Sequence, residues 1–268
     1  AGITALLTPP GRISGKPHRL KANENRSFQG SIVLGMGFVL TPAEAAGLIE
    51  RNPNNRDCLF PYLNGEDLNS RPDQSPSRWV INFHDWPLNR SGEGSWLTAG
   101  DKGCKEWLRN GVVPADYPGP VAADYPDVLA IVEDKVKPER EKNNRAIRRQ
   151  RWWQYAERAP ALYAAIEGME WIIVKTQVSK QHMFALILTA QVFDQRVVCT
   201  NLTSLSHFAL LQSALHEEWG RQYGSTLETR YTYTPSDCFE TFPFPISLAG
   251  LDDIGEHYYQ HRQSSMQT

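Results

Sequence analysis

The chain has 268 residues, with 28 Lys and Arg against 30 Asp and Glu, a formal net charge of -2, 41% hydrophobic and 22% charged residues. That length buries a sizeable core as one large domain or one domain with an appendage, and the composition excludes a wholly disordered or fibrous chain. Cys58, Cys104, Cys199 and Cys238 are scattered, with no Cys-x-x-Cys pair and no His at ligand spacing, so neither a zinc site nor a redox pair is indicated and a reducing cytoplasm is expected.

Ala1 to Ser27 is rich in Gly, Pro and bases and reads as an extended lead-in with one short strand at Ile3 to Leu7. No basic stretch followed by an apolar one opens the chain, so no signal peptide is expected, and Ala1 in place of Met points to a piece of a longer protein. Phe28 to Leu40 reads as strand, bend and strand, its branched and aromatic residues punctuated by glycine. Thr41-Pro42-Ala43-Glu44 then predicts a helix start, with Thr41 as cap, Pro42 at the first helical position and Glu44 closing a capping box, and the helix should run to about Arg51. Cys58 to Leu63 and Trp79 to Phe83 are candidate strands, with a turn at Asn64-Gly65-Glu66-Asp67. Ser91 to Gly119 reads as a long irregular excursion with a short helix near Cys104 to Arg109.

The most informative stretch is Val132 to Tyr155. It gathers Lys135, Lys137, Arg140, Lys142, Arg145, Arg148, Arg149 and Arg151 with only Glu139 and Glu141 among them, and then places Trp152, Trp153 and Tyr155 beside them. It is expected on a helix beginning near Pro126 and kinked at Pro138, where proline removes a backbone donor. Two readings stand. The run is the solvated face of a helix whose acids pair with bases at helical spacing, or it is a phosphate-binding surface, since Arg148-Arg149-x-Arg151 meets no acid until Glu157. Adjacent helical positions diverge by roughly 100°, so at least one of Trp152 and Trp153 should face the core.

Further strands are expected at Trp171 to Lys175, His182 to Leu188 and Val197 to Thr200, and an apolar stripe predicts one helix over Leu205 to Trp219, ended near Gly220 or Gly224. The longest apolar run, Met183 to Phe193, is too short to span a bilayer. Ser225 to Thr234 alternates as one strand, Phe239 to Pro245 should pack as an extended apolar strap because it holds two prolines, and a last helix begins near Leu251. On a single strand Glu228 and Arg230 share a face. Arg suits guanine N7 and O6 and Glu accepts from cytosine N4, so the pair has base-reading chemistry, and a same-face salt bridge fits the spacing equally well.

Catalytic signatures are incomplete. Phe28-Gln29-Gly30 and Gly35-Met36-Gly37 complete no glycine-rich cofactor turn, and neither Asn52-Pro53-Asn54 nor Thr8-Pro9-Pro10-Gly11 forms the Asn/Asp-Pro-Pro-aromatic loop of a base-flipping methyltransferase. Asp127, Glu133 and Lys135 are too close for a two-strand nuclease metal site, Ser225 has no nucleophile-elbow frame, and His84, His182, His207 and His216 are singletons. No catalytic, cofactor-binding or metal residue is assigned.

Four blocks in order, SFQGSIVLGMGFVLTPAEA, LFPYLNGEDLNSRPDQSPSRWVINFHDWP, YPDVLAIVEDKVKPER with RWWQYAERAPALYAAI, and HEEWGRQYGSTLETRYTYTPSDCFETFPFP, resemble the region downstream of the catalytic domain in type IIG restriction-modification DNA adenine methyltransferases of the MmeI-like group. The resemblance implies an α+β fold: a mixed-sheet target recognition domain over residues 1–246 with flanking helices, leading into a helical spacer from 247 to 268. It implies duplex DNA as partner, together with a methyltransferase domain of the same parent chain and no membrane. It places S-adenosylmethionine, with Mg²⁺ as a further candidate, in the parent and no cofactor in this piece, and implies a role in phage defence. Glu228 and Arg230 then become base-reading candidates, joined by Lys180 between two predicted strands, while Lys135, Lys137, Arg140, Arg145, Arg148, Arg149 and Arg151 become phosphate contacts that position the domain. The rival reading is a protein-interaction domain that docks an acidic partner on the basic helix.

Overall fold

The computed structural model describes residues 15–227 and 230–267, so the expected strand at Ile3 to Leu7 and the candidate Glu228 lie outside the described residues. The molecule is α+β, with helices beside several mostly antiparallel sheets. The chain divides into two compact units. One gathers the residues up to Ser31, Leu63–Pro76 and the chain from Ala159 onward; the other holds Ile32–Tyr62 and Ser77–Arg158.

The first unit is built on an antiparallel sheet in the order Ser27–Gln29, Val197–Thr200, Trp171–Thr176, Phe184–Leu188. Successive residues of a strand point to opposite faces, and the unbroken run Ile172-Ile173-Val174 therefore needs a cover on both. Ile172, Val174, Ala185, Ile187, Val197 and Cys199 bury one face under Leu68 of the helix Gly65–Ser70 and Leu162 of the helix Pro160–Ala165. Ile173, Phe184 and Val198 bury the other under Phe208 and Leu211 of the helix Leu205–Gln212 and under Tyr231, Tyr233 and Phe239. The C-terminal helix Leu251–Gln267 closes on Leu205–Gln212, where Tyr259 meets Phe208 edge to face and Asp252 accepts the Ser206 amide at 3.0 Å.

In the second unit Val39–Leu40, Arg78–Ile81 and Leu59–Leu63 pair antiparallel, with Val80 opposite both Val39 and Phe60. The helix Pro42–Arg51 starts as its sequence predicts: the Thr41 hydroxyl accepts the Glu44 amide and the Glu44 carboxylate accepts the Thr41 amide at 2.8 Å. The helix Asp101–Asn110 connects the strands Asn89–Gly92 and Val112–Pro114, which pair in parallel. Trp86 stacks on Tyr125 with centroids 5.3 Å apart, and its carbonyl receives the Trp153 indole N–H and the Gln154 amide.

Three expectations change. Asn64-Gly65-Glu66-Asp67 opens the helix Gly65–Ser70, because the Asn64 side chain accepts the amides of Glu66 and Asp67 and the Asp67 carboxylate accepts the Asn64 amide. The helix expected over Leu205 to Trp219 is two helices, Leu205–Gln212 and Ala214–Tyr223, because Ser213 turns extended and caps the second by accepting the His216 amide. The single strand expected over Ser225 to Thr234 is a pair of strands, Ser225–Leu227 and Arg230–Thr232, with Leu227 opposite Arg230. A π-helical turn, Pro235–Phe239, in which the Thr234 hydroxyl accepts the Asp237 amide, leads into the segment Phe239 to Pro245, which has no helix or strand beyond Phe239.

Candidate nucleic-acid interface

The basic stretch is three short helices, Pro126–Lys135, Lys137–Glu141 and Ala146–Gln150. The breaks fall at Val136, next to Lys137-Pro138, and at the Asn143-Asn144-Arg145 segment, where the Asn143 side chain accepts the Arg145 amide at 3.0 Å. Short helices turn the bases in different directions, so charge density alone does not say which of them face solvent.

Lys135, Arg145 and Arg149 are exposed. Arg149 is also anchored, donating to the Asn143 carbonyl at 2.6 Å. Lys137 pairs with Glu133 at 2.7 Å and lies 5.0 Å from the Trp152 ring centroid. Arg148 reaches Glu157 only at 3.9 Å. Arg151 is half-buried, donates to the carbonyls of Leu108 and Arg109 at the end of Asp101–Asn110, and lies 5.4 Å from the Trp153 ring centroid.

Arg140 departs from the expected phosphate contact. It is 2% exposed, and its guanidinium donates to the carbonyls of Leu34, Val33 and Gln154 at 3.0, 3.0 and 3.2 Å. Burial, with the nearby Arg148 charge, draws its pKa down to about 10. It acts as an internal staple rather than a solvent-facing charge. Trp152 and Trp153 are both buried, as anchors for this segment.

The other candidates sit on a small three-stranded sheet of the first unit, ordered Ser225–Leu227, Arg230–Thr232, Val178–Ser179. Tyr231 stands opposite Ser179 and Thr232 opposite Val178. Lys180 follows Ser179 and Arg230 precedes Tyr231, so both lie at the same end of this pair of strands. The fold therefore brings these two sequence-distant candidates to one sheet end, and Lys180 is exposed there.

Behind this sheet lies a buried polar group that sequence patterning did not single out. Lys175, 1% exposed, donates to the Gln181 carbonyl at 3.2 Å, and its ammonium lies 5.0, 5.5 and 5.7 Å from the ring centroids of Tyr231, Phe184 and Tyr233. Burial draws its pKa down to about 7. The Leu211 carbonyl can only accept, so Nε2 of His182 carries the hydrogen and donates to it at 2.7 Å. Burial and the Lys175 charge draw the His182 pKa down to about 4, and the neutral ring accepts the Tyr231 hydroxyl at Nδ1. His216 contacts the Tyr233 hydroxyl through Nε2 at 2.9 Å. The one available signal was a lysine closing the otherwise apolar run WIIVKT.

The glycines that superficially suggest a cofactor turn are occupied by packing. A Cβ on Gly30 would stand 2.3 Å from the carbonyl oxygens of Phe193 and Asp194, and one on Gly37 would stand 2.5 Å from the Lys135 Cβ. Among the described residues no group of three or more His, Cys, Asp and Glu side chains is placed to hold a metal ion, and no helix is long and apolar enough to cross a membrane.

Residues 122–246 match the family described as "MmeI, target recognition domain", a span that takes in the end of the second unit and most of the first. Among solved structures, the chain is similar to the type IIL restriction-modification enzyme MmeI in complex with DNA, at 17% identity and a TM-score of 0.53 over 96% of this chain. The chain spans 33% of that protein's chain. No curated protein sequence matches it.

Proposed function

We propose, on the premise that residues 122–246 carry an MmeI-type target recognition domain, that this chain reads the base sequence of duplex DNA for a restriction-modification enzyme. The geometric observation that carries the reading is the register that brings Lys180 and Arg230 to one sheet end. Both side chains donate in the manner that guanine N7 and O6 accept, and a β-ribbon fits the width of a major groove. The exposed bases Lys135, Arg145 and Arg149, with Arg148 and Lys137 beside them, contact phosphates and supply sequence-independent affinity. The similar solved structure, a restriction-modification enzyme bound to DNA, supports the same partner.

The finer assignment is that the parent is a SAM-dependent adenine-N6 methyltransferase. A catalytic domain elsewhere in the parent would hold S-adenosylmethionine, which would donate its methyl group to the adenine N6 and leave as S-adenosylhomocysteine as N6 loses a proton. This chain's residues hold the duplex in register for that step; they perform no bond-making themselves.

The test is selection from a randomised duplex pool by the full chain at several salt concentrations, followed by sequencing of the retained DNA. An enriched motif bound with a steep salt slope is expected. Binding of acidic peptides in preference to any duplex at equal salt would overturn the reading in favour of a protein-docking domain.

A further inference from the structure

The residues from Ser179 to His182 each make a hydrogen bond that holds the turn, and one of these bonds comes from a buried lysine, Lys175. Ser179 donates to Asn69 at 3.2 Å, the Gln181 amide donates to Ser179 at 3.2 Å, and the His182 carbonyl accepts the Gln212 amide at 2.6 Å. Lys180 and Gln181 are exposed, Ser179 and His182 are buried, and the Lys180 carbonyl accepts from Arg221 at 3.5 Å. Arg221 in turn lies 5.0 Å from the Tyr231 centroid. Tyr231, the residue after Arg230, is thus flanked by Arg221, Lys175 and His182.

A buried lysine is costly, and an apolar side chain of the same length would fill the volume without that cost. The partners of the Lys175 ammonium indicate what is gained. Its hydrogen bond goes to Gln181, next to Lys180, and one of its cation–π contacts goes to Tyr231, next to Arg230. Its remaining contacts, Tyr233 and Phe184, lie just beyond Arg230–Thr232 and just after His182.

We infer that Lys175 is a positioning residue for sequence reading: it ties the turn that carries Lys180 to the strand that begins with Arg230, and so fixes the two reading groups relative to each other. This rests on the base-reading function proposed above and assigns Lys175 no contact with DNA. A base pair is discriminated only when donors stand within a few tenths of an ångström of their acceptors, so a loosened turn loses discrimination before it loses phosphate affinity.

Lys175→Met keeps an unbranched side chain one atom shorter and removes its donor and charge. The full chain and this variant are each offered a randomised duplex pool, and affinity for one fixed non-cognate duplex is measured in parallel. The expected result is a loss of discrimination of about tenfold, at the same base position at which Lys180→Ala or Arg230→Ala loses it, with non-cognate affinity unchanged. Discrimination equal to that of the unaltered chain, or an equal loss at every position, would overturn the inference. Should circular dichroism show Lys175→Met unfolded, Tyr231→Phe, which removes only the hydroxyl bound to His182, takes its place under the same criteria. An unaltered chain that enriches no motif overturns the base-reading function itself.

Discussion

The hydroxyl of Tyr231 and Nδ1 of His182 lie 2.5 Å apart in the interior of the first unit, and with Nε2 donating to the Leu211 carbonyl a neutral imidazole accepts the Tyr231 hydroxyl at Nδ1. Protonating that ring would bury a second positive charge beside Lys175. Stability of the chain is therefore coupled to pH through this contact.

The sign follows from the direction of the shift. The folded pKa of His182 is drawn down to about 4 from an ordinary value of 6.5, and that of the buried His216 is drawn well below the same value. Between those limits the unfolded chain binds protons that the folded chain does not, so stability is full above pH 6.5 and falls as pH drops toward 4. Thermal unfolding followed by circular dichroism should show Tm decreasing across that window. A flat profile would mean that both rings are protonated in the folded state.

Arg140 and Arg145 should behave as opposites. Arg140→Ala removes donors to three backbone carbonyls and should cost about 2–4 kcal/mol of stability. The exposed Arg145→Ala should stay within about 0.5 kcal/mol in stability while lowering the slope of log affinity against log salt by about 1. Denaturant titration and salt-dependent duplex binding measure the two effects; a stable Arg140→Ala would remove the staple interpretation.

Arg230→Ala should relax preference at one base position by about 1–3 kcal/mol and leave the others intact. Sequencing of duplexes retained from a randomised pool reads this directly. A uniform loss at all positions would place Arg230 among the phosphate contacts instead.

Asn64→Ala deletes the acceptor for two amides at the start of Gly65–Ser70 and should destabilise by about 1 kcal/mol. Asn64→Asp or Asn64→Ser should retain most of the cap. Equal losses for all three substitutions in chemical denaturation would count against the hydrogen-bonding account.

What the sequence disclosed was chiefly local. Thr41 and Glu44 lie within one turn of each other, so their capping box and the helix after it could be read directly. The break at Ser213 was hidden because apolar residues continue through it, and only the conformation of Ser213 and its bond to the His216 amide mark the boundary. The paired strands at Ser225–Leu227 and Arg230–Thr232 carry no Gly or Asn between them to announce a turn. The charge of the basic stretch was plain, but the inward direction of Arg140 depends on carbonyls of Val33 and Leu34, more than a hundred residues earlier. Lys175 was illegible for the same reason, since its aromatic partners at Tyr231 and Tyr233 are brought to it only by the fold.

The outermost strand of the main sheet, Ser27–Gln29, finds its partner in Val197–Thr200, with Phe28 opposite Cys199. During synthesis the early strand must wait for the later one to leave the ribosome, a delay of about 10–30 s at ordinary elongation rates. For that interval Phe28 has no Val197–Thr200 to lie against, and the first unit cannot close from its N-terminal part alone. The practical consequence is one of timing: a pause or truncation before Thr200 leaves a nascent chain with an unpaired strand edge, the state in which association between copies competes with folding.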